Sequence, residues 1–304
     1  MPVAIPPPTM PAHRRAAVRA MKVIPSLGDL SWRIANKVAL TLVGRQCVTE
    51  TYAGGRLLVD LTDFIGTRIY HFGVWEPHLS ALISARLGPG DVFCDVGANI
   101  GYYTVLAAPI VGASGRVVAI EPSPATFEAL THNAKLNNAD NVRMVSAAVS
   151  DRPGTLTLFH PPYANRGATT TVASRGFIRE VDVPARPLAS MLLPDEIQRL
   201  RLIKIDVEGA EGPIMQNLFE TIHDYPASME IICEMAVSET IADAPTIATL
   251  IERFAAAGFR AFTIQNAYDI SAYLSFRRPR APEPIVSPVT AQQDIFFSRQ
   301  FAAP

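Results

Sequence analysis

DVFCDVGANIGYYT, residues 91–104, decides how the chain is read. An apolar run, Val92-Phe93-Cys94, leads through Asp95 into a glycine-punctuated turn, Gly97-Ala98-Asn99-Ile100-Gly101. A strand that ends in glycines and opens a helix is the first turn of a nucleotide-binding α/β fold. Gly97 lets the chain turn sharply, and Gly101 lets the following helix pack close to the sheet. The middle position is Asn99, where a dinucleotide site usually carries glycine so that a pyrophosphate can reach the backbone. A side chain there obstructs a diphosphate and suits a nucleoside without one.

Working outward, short apolar runs alternate with helical segments from about residue 89. Strands are predicted at 117–120, 142–145, 202–205 and 231–233, after the first at 92–94. Near-continuous apolar strands are covered on both faces, as in a parallel sheet, and their alternation with helices gives βαβ units. Ser123 before Pro124 marks a helix start, with Phe127, Leu130 and Ala134 on one face. Ile247, Leu250, Ile251 and Phe254 repeat at helical spacing before Gly258. Two late strands, 260–264 and 294–299, flank a proline-rich stretch, 268–293, expected as a long surface loop. Upstream, residues 47–61 read as a β-hairpin turning at Ala53-Gly54-Gly55. The chain thus divides into a Pro-rich and basic tail (1–25, expected disordered), an N-terminal hairpin and helical addition (26–85), and the α/β domain (86–304).

Bulk properties narrow the function. With 304 residues and 49% hydrophobic content a large core is available, and a net charge of -1 argues against general nucleic-acid binding, which rests on phosphate neutralisation. No apolar run reaches the ~18–20 residues of a membrane span. Cys47, Cys94 and Cys233 are far apart, as expected of buried thiols in a reducing compartment, and Pro6, Pro7 and Pro8 break any signal-peptide core. A cytoplasmic protein is expected.

The ligand follows from Glu121. It ends the second strand, 20 residues beyond Gly101, where an acid grips a ribose diol because a carboxylate accepts from both hydroxyls. A 2′-phosphate would be repelled. Ribose without a diphosphate, beside a loop whose N–H groups meet a carboxylate and whose Asp95 can reach an ammonium, describes S-adenosyl-L-methionine.

"DVGANIGYYT", "AIEPSP" and "LIKIDVEGAE", in this order and spacing, resemble the FkbM family of S-adenosylmethionine-dependent O-methyltransferases over roughly residues 70–240. The resemblance implies a Rossmann-like, seven-stranded sheet with its last strand antiparallel, and an acceptor hydroxyl on a sugar or natural-product-like small molecule. It also places Glu76, in "YHFGVWEPH", at the ammonium of the methionine tail, and Ser146 and Ala147 at the adenine.

Methyl transfer needs alignment above all, with a base as a further aid. The base belongs at the sheet's carboxyl edge. Asp206 and Glu208 follow the fourth strand and Glu234 ends the fifth, so neighbouring strands bring all three to one crevice, where like charges raise a pKa. Asp206 or Glu208 is the expected base, with Glu234 in support, while Glu211 suits the start of the next helix. These acids could also hold Mg²⁺. Metal-using relatives carry an Asp-Asn pair after the fifth strand, and "CEMAVSE" has none, so metal-free catalysis is expected. Of Tyr102 and Tyr103, one is expected at the cofactor, and Tyr102 is the assignment made. Asn165, Arg166, Thr169 and Thr170 form a polar stretch suited to lining a substrate pocket, and His71 is the one histidine worth testing as a base. Two other readings stay open. One is an NAD-dependent oxidoreductase, disfavoured by Asn99 and by the lack of a Tyr-x-x-x-Lys pair. The other is an inactive cofactor-binding scaffold, disfavoured by the presence of Asp95, Glu121 and Asp206.

Overall fold

Five parallel strands carry the site, and their burial explains why the sequence reads as it does. The computed structural model describes residues 28–160, 170, 177–235, 246–266, 268–276, 278–286, 289 and 292–302. The expected tail, 1–25, lies outside them. In chain order the elements are α1 (Gly28–Val43), β1 (Gln46–Glu50), β2 (Arg56–Asp60), α2 (Phe64–Phe72), α3 (Pro77–Arg86), β3 (Val92–Val96), α4 (Tyr102–Val111), β4 (Arg116–Ile120), α5 (Pro124–Leu136), β5 (Val142–Val145) and β6 (Ala148–Val149). There follow β7 (Gly154–His160), β8 (Ile178–Arg186), α6 (Pro194–Gln198), β9 (Leu200–Ile205), α7 (Glu211–Glu220), β10 (Glu230–Met235), α8 (Ile247–Ala256), β11 (Arg260–Ile264), α9 (Ile270–Ser275), β12 (Glu283–Pro284) and β13 (Gln293–Ser298).

The main sheet has the order β12-β11-β13-β10-β9-β3-β4-β5. Strands β5, β4, β3, β9 and β10 pair in parallel, and β13 runs antiparallel between β10 and β11. The seven strands implied by the resemblance are all present, with the last antiparallel. The eighth, β12, is a two-residue addition on the edge. The chain moves outward from β3 through β4 to β5 and then resumes on the other side at β9. Strand order therefore reverses between β3 and β9, the place where ligands of open α/β sheets bind.

Alternate residues of each strand feed two cores, one per face. Phe93, Val117, Leu202, Ile232 and Phe296 pack with Leu57, Ile69, Leu79, Ile83 and Val105 from the N-terminal addition and α4. Cys94, Val118, Ile203, Ile231 and Phe297 pack with Met215 and Leu218 of α7 and with Leu250 and Phe254 of α8. Burial on both faces removes the polar alternation of a half-exposed strand. The hairpin is β1 with β2, antiparallel, as the turn residues predict. A separate sheet, β6-β8-β7, follows β5. The stretch 268–293 differs from expectation: it holds α9, with Ile270 and Tyr273 buried, and β12. Its proline density masked a segment that packs on the core containing Phe72.

Candidate active site at the carboxyl ends of the parallel strands

A cleft opens where strand order reverses. Val96, Gly97 and Asn99 after β3, Glu121 after β4, Ala147 after β5, and Asp206 and Glu208 after β9 line it.

The glycine loop is shaped by close approach. Gly97 has φ +77°, and a Cβ there would sit 1.8 Å from the carbonyl oxygen of Asp206. Glycine is thus required for the tips of β3 and β9 to lie together. A Cβ on Gly101, at φ +88°, would meet Leu130 Cδ1 of α5 at 2.7 Å. Asn99 is left-handed, φ 52°, a conformation that asparagine tolerates better than most residues. Its Oδ1 accepts from the N–H of Ile100 at 2.7 Å. Its own N–H donates to Glu121 Oε2 at 2.9 Å, and the N–H of Ser123 donates to Glu121 Oε1 at 2.9 Å. Glu121 is therefore fixed by two backbone donors at the cleft wall. Burial pushes its carboxyl up to about 7, against the pull of those two donors.

Beside the cleft lies a connected group of carboxyls and phenols. Lys204, on β9, is buried, and its Nζ donates to Asp206 Oδ2 at 2.9 Å. Burial alone would raise Asp206, yet the ammonium of Lys204 and the hydrogen bond with Glu234 together hold the carboxyl below its ordinary value. Burial would likewise neutralise Lys204, and Asp206, Asp95 and Glu76 together keep it charged. Glu208, left-handed at φ 56°, is pushed up to about 8 by burial and then by the charge of Asp206. Glu234 rises to about 10 through burial, Asp206 and Asp294, and it shares a hydrogen bond with Asp206. At neutral pH Asp206 is ionised while Glu234 holds a proton for it. One oxygen each of Asp206, Glu208 and Glu234 lies within 4.8 Å of the others, so the three can share protons or ligate a cation.

The expected residues are distributed as follows. Glu76 is buried at a left-handed turn, φ 43°, and its carboxylate accepts from the hydroxyls of Tyr103 and, at 2.8 Å, Tyr268. Tyr102 points elsewhere: its hydroxyl lies 3.0 Å from Ser80 Oγ, and Tyr103 is the tyrosine of the pair that joins the acid group. Asp95 is fully buried and accepts from Thr104 Oγ1 at 2.7 Å. Its Oδ1 has no hydrogen-bond partner among the described residues. Ala147 lines the cleft, whereas Ser146 is exposed and outside the lining. Glu211 accepts from the N–H of Gly209 at 2.9 Å at the start of α7, its structural role. Thr170 is buried, bridges to Phe159 and donates to the carbonyl of Glu208. Asn165, Arg166 and Thr169 lie outside the described residues. His71 is buried against Trp32, away from the cleft lining.

Two residues escaped the sequence reading. Lys204 had a signal, a cation one residue from the end of the apolar run LRLIKI, inside the strand rather than beside it. Tyr268, whose hydroxyl bridges Glu76 and, at 3.1 Å, Glu234, had none, because nothing local in its stretch marks it.

Residues 95–261, just over half of the chain, match the family model described as the Methyltransferase FkbM domain. The chain belongs to this family. This FkbM-domain chain is similar to "Methyltransferase sdnD" of Sordaria araneosa, 27% identical over 165 residues that cover 45% of this chain and 63% of that protein. It is similar to "31-O-demethyl-FK506 methyltransferase FkbM" of Streptomyces tacrolimicus, 28% identical over 178 residues, 49% of this chain and 67% of that one. "Hexuronic acid methyltransferase AglP" of Haloferax volcanii is 29% identical over 143 residues, 47% of this chain and 56% of that one. The match thus spans about three-fifths of these relatives' lengths. The site suits the chemistry of S-adenosylmethionine: a buried carboxylate at Glu121 for a diol and a strongly acidic surround for a cationic tail.

Proposed function

We propose that this FkbM-domain protein transfers a methyl group to a hydroxyl of a sugar or natural-product-like small molecule. When bound, S-adenosylmethionine supplies a methyl group on a sulfonium, already activated for in-line displacement. The protein's task is then to hold the acceptor oxygen in line and to take its proton.

Glu208 is the base in this reading. Its carboxyl lines the cleft, and a value of about 8 suits a group that must accept a proton near neutral pH. Asp206 stays ionised beside it and raises its basicity. Glu234, hydrogen-bonded to Asp206, keeps that second carboxylate from competing for the acceptor's proton. Glu121 holds the ribose and Ala147 borders the adenine. The single observation that carries the proposal is this pairing, within one cleft, of an ionised carboxylate and a neighbour of raised pKa. The name of one relative, a 31-O-demethyl-FK506 methyltransferase, favours an oxygen of a natural product, and that of another, a hexuronic acid methyltransferase, favours a sugar-like acceptor.

The test is transfer of label from methyl-tritiated S-adenosylmethionine to a panel of glycosides, polyketide alcohols, carboxylic acids and amines. Alkali-stable label on the hydroxyl compounds is expected. Label confined to acids, as alkali-labile esters, or to amines would refute O-methylation of a hydroxyl.

A further inference from the structure

Charge is divided unevenly along the chain. Residues 1–49 carry seven Lys and Arg against the lone acid Asp29, a net +6, whereas residues 50–304 carry 20 and 27, a net -7. Helix α1 lies in the cationic part. Trp32, Ala35, Ala39 and Leu40 pack it against the core. On another face Ile34, Val38 and Leu42, spaced four apart, are 56%, 51% and 67% exposed, and Val43 ends the helix partly exposed. Arg33 and Lys37, also four apart, are exposed alongside this stripe. Arg45 is exposed just beyond it and pairs with Asp60.

A stripe of exposed aliphatic side chains has a standing cost in water, and its regular spacing gives it one direction. Cations bordering such a stripe are the chemistry that rests on an anionic lipid surface, with aliphatic side chains among the acyl chains and Lys and Arg at the phosphates. We propose that α1, through Ile34, Val38 and Leu42 with Arg33 and Lys37 beside them, docks this protein on the surface of an anionic phospholipid bilayer. A second copy is a poorer occupant, because a two-fold contact through this face would set Arg33 and Lys37 against the same cations of the other copy. No helix among the described residues is long and apolar enough to cross a membrane, so the association is peripheral. An acceptor that is itself lipid-linked or apolar would then be met at the surface where it resides.

The experiment is co-sedimentation of the full chain with vesicles of phosphatidylcholine alone and of phosphatidylcholine mixed with phosphatidylglycerol. The chain is expected to pellet with the mixed vesicles, to remain in solution with the neutral ones, and to be released by salt. Each Lys or Arg near an anionic surface is worth about fivefold in partition, so Arg33→Glu with Lys37→Glu should weaken binding by at least about 25-fold. Leu42→Asp should weaken it as well while leaving the melting temperature and cofactor affinity unchanged, because Leu42 is exposed. Equal partition onto both vesicle types, or no partition, overturns the proposal. So does a concentration-dependent dimer in light scattering that Leu42→Asp dissociates, which would give the stripe to a second copy.

Discussion

Cofactor affinity should follow the protonation of Glu121. In the ligand-free protein this carboxyl titrates at about 7, because burial outweighs two backbone donors. A ribose diol on Glu121 donates two further hydrogen bonds, and only the ionised carboxylate accepts all four. Binding therefore selects the ionised form, and the apparent Kd grows as protons occupy the site. With a value of about 7, affinity at pH 6 should be about 11-fold weaker than on the alkaline plateau, and at pH 5 about 100-fold weaker. Isothermal titration at pH 6 in buffers of different ionisation enthalpy should detect release of about 0.9 proton per cofactor, the fraction of Glu121 then protonated. Glu121→Gln removes the titration. Its amide also turns a donor toward Asn99 N–H or Ser123 N–H, so one of the two backbone bonds is lost, weakening plateau affinity by about 1–3 kcal/mol. The same shift acts on folding. A carboxyl raised from 4.5 to about 7 binds its proton more tightly in the folded chain. It therefore favours folding at low pH, and about 3 kcal/mol is lost as pH rises from 4.5 through 7. A flat Kd between pH 5 and 8, or a pH dependence that survives in Glu121→Gln, would show that the ribose lies elsewhere.

Other outcomes follow from the same geometry. The native protein should show a rise in rate centred near pH 8, and Glu208→Gln should erase it and lower turnover by about 10²–10⁴ with little change in cofactor affinity; equal kcat in the two proteins would move the base to Asp206. Gly97→Ala must fit a Cβ 1.8 Å from a carbonyl oxygen at positive φ, so urea unfolding should show a loss of about 2–5 kcal/mol. Glu230 is fully buried between Arg86, at 2.6 and 2.7 Å, and Arg201, at 2.9 Å. Glu230→Ala leaves those cations facing a hole and should cost about 3–5 kcal/mol, with an unshifted melting temperature counting against it. Tyr268→Phe strips a donor from Glu76 and Glu234 and should lower stability by about 1–3 kcal/mol in urea unfolding.

What the sequence disclosed was whatever is local in period or punctuation. Phe93/Cys94 and Leu202/Ile203 alternate between two cores, so the strands were legible as apolar runs. The turn at Gly97 was legible too, although its physical reason, the Asp206 carbonyl, is a contact across more than a hundred residues. Asn99 shows the limit of reasoning by ligand alone. Its side chain was read as suiting a ligand without diphosphate, yet its left-handed φ gives an independent reason for asparagine. Tyr268 and α9 were hidden because their roles come from packing against Trp75 and Phe72, and no spacing along the chain encodes that. The choice between Tyr102 and Tyr103 turned on the same kind of fact, since adjacent helical residues look alike until Ser80 and Glu76 are placed beside them.

The site's acidity has a consequence for what it holds. Glu76, Asp95, Asp206, Glu208, Glu234 and Asp294 converge near the strand tips, and Lys204 is the one cation bonded to any of them among the described residues. Buried like charges cannot all ionise, so burial and the neighbouring carboxylates raise Glu208, Glu234 and Asp294, while Lys204 secures the charge on Asp206. In the proposed reaction the charge that Lys204 fixes on Asp206 would face a cationic ligand, and Glu208 beside it would take the acceptor's proton. Lys204 would thereby set which carboxyl of the group stays ionised and which is left to act as base.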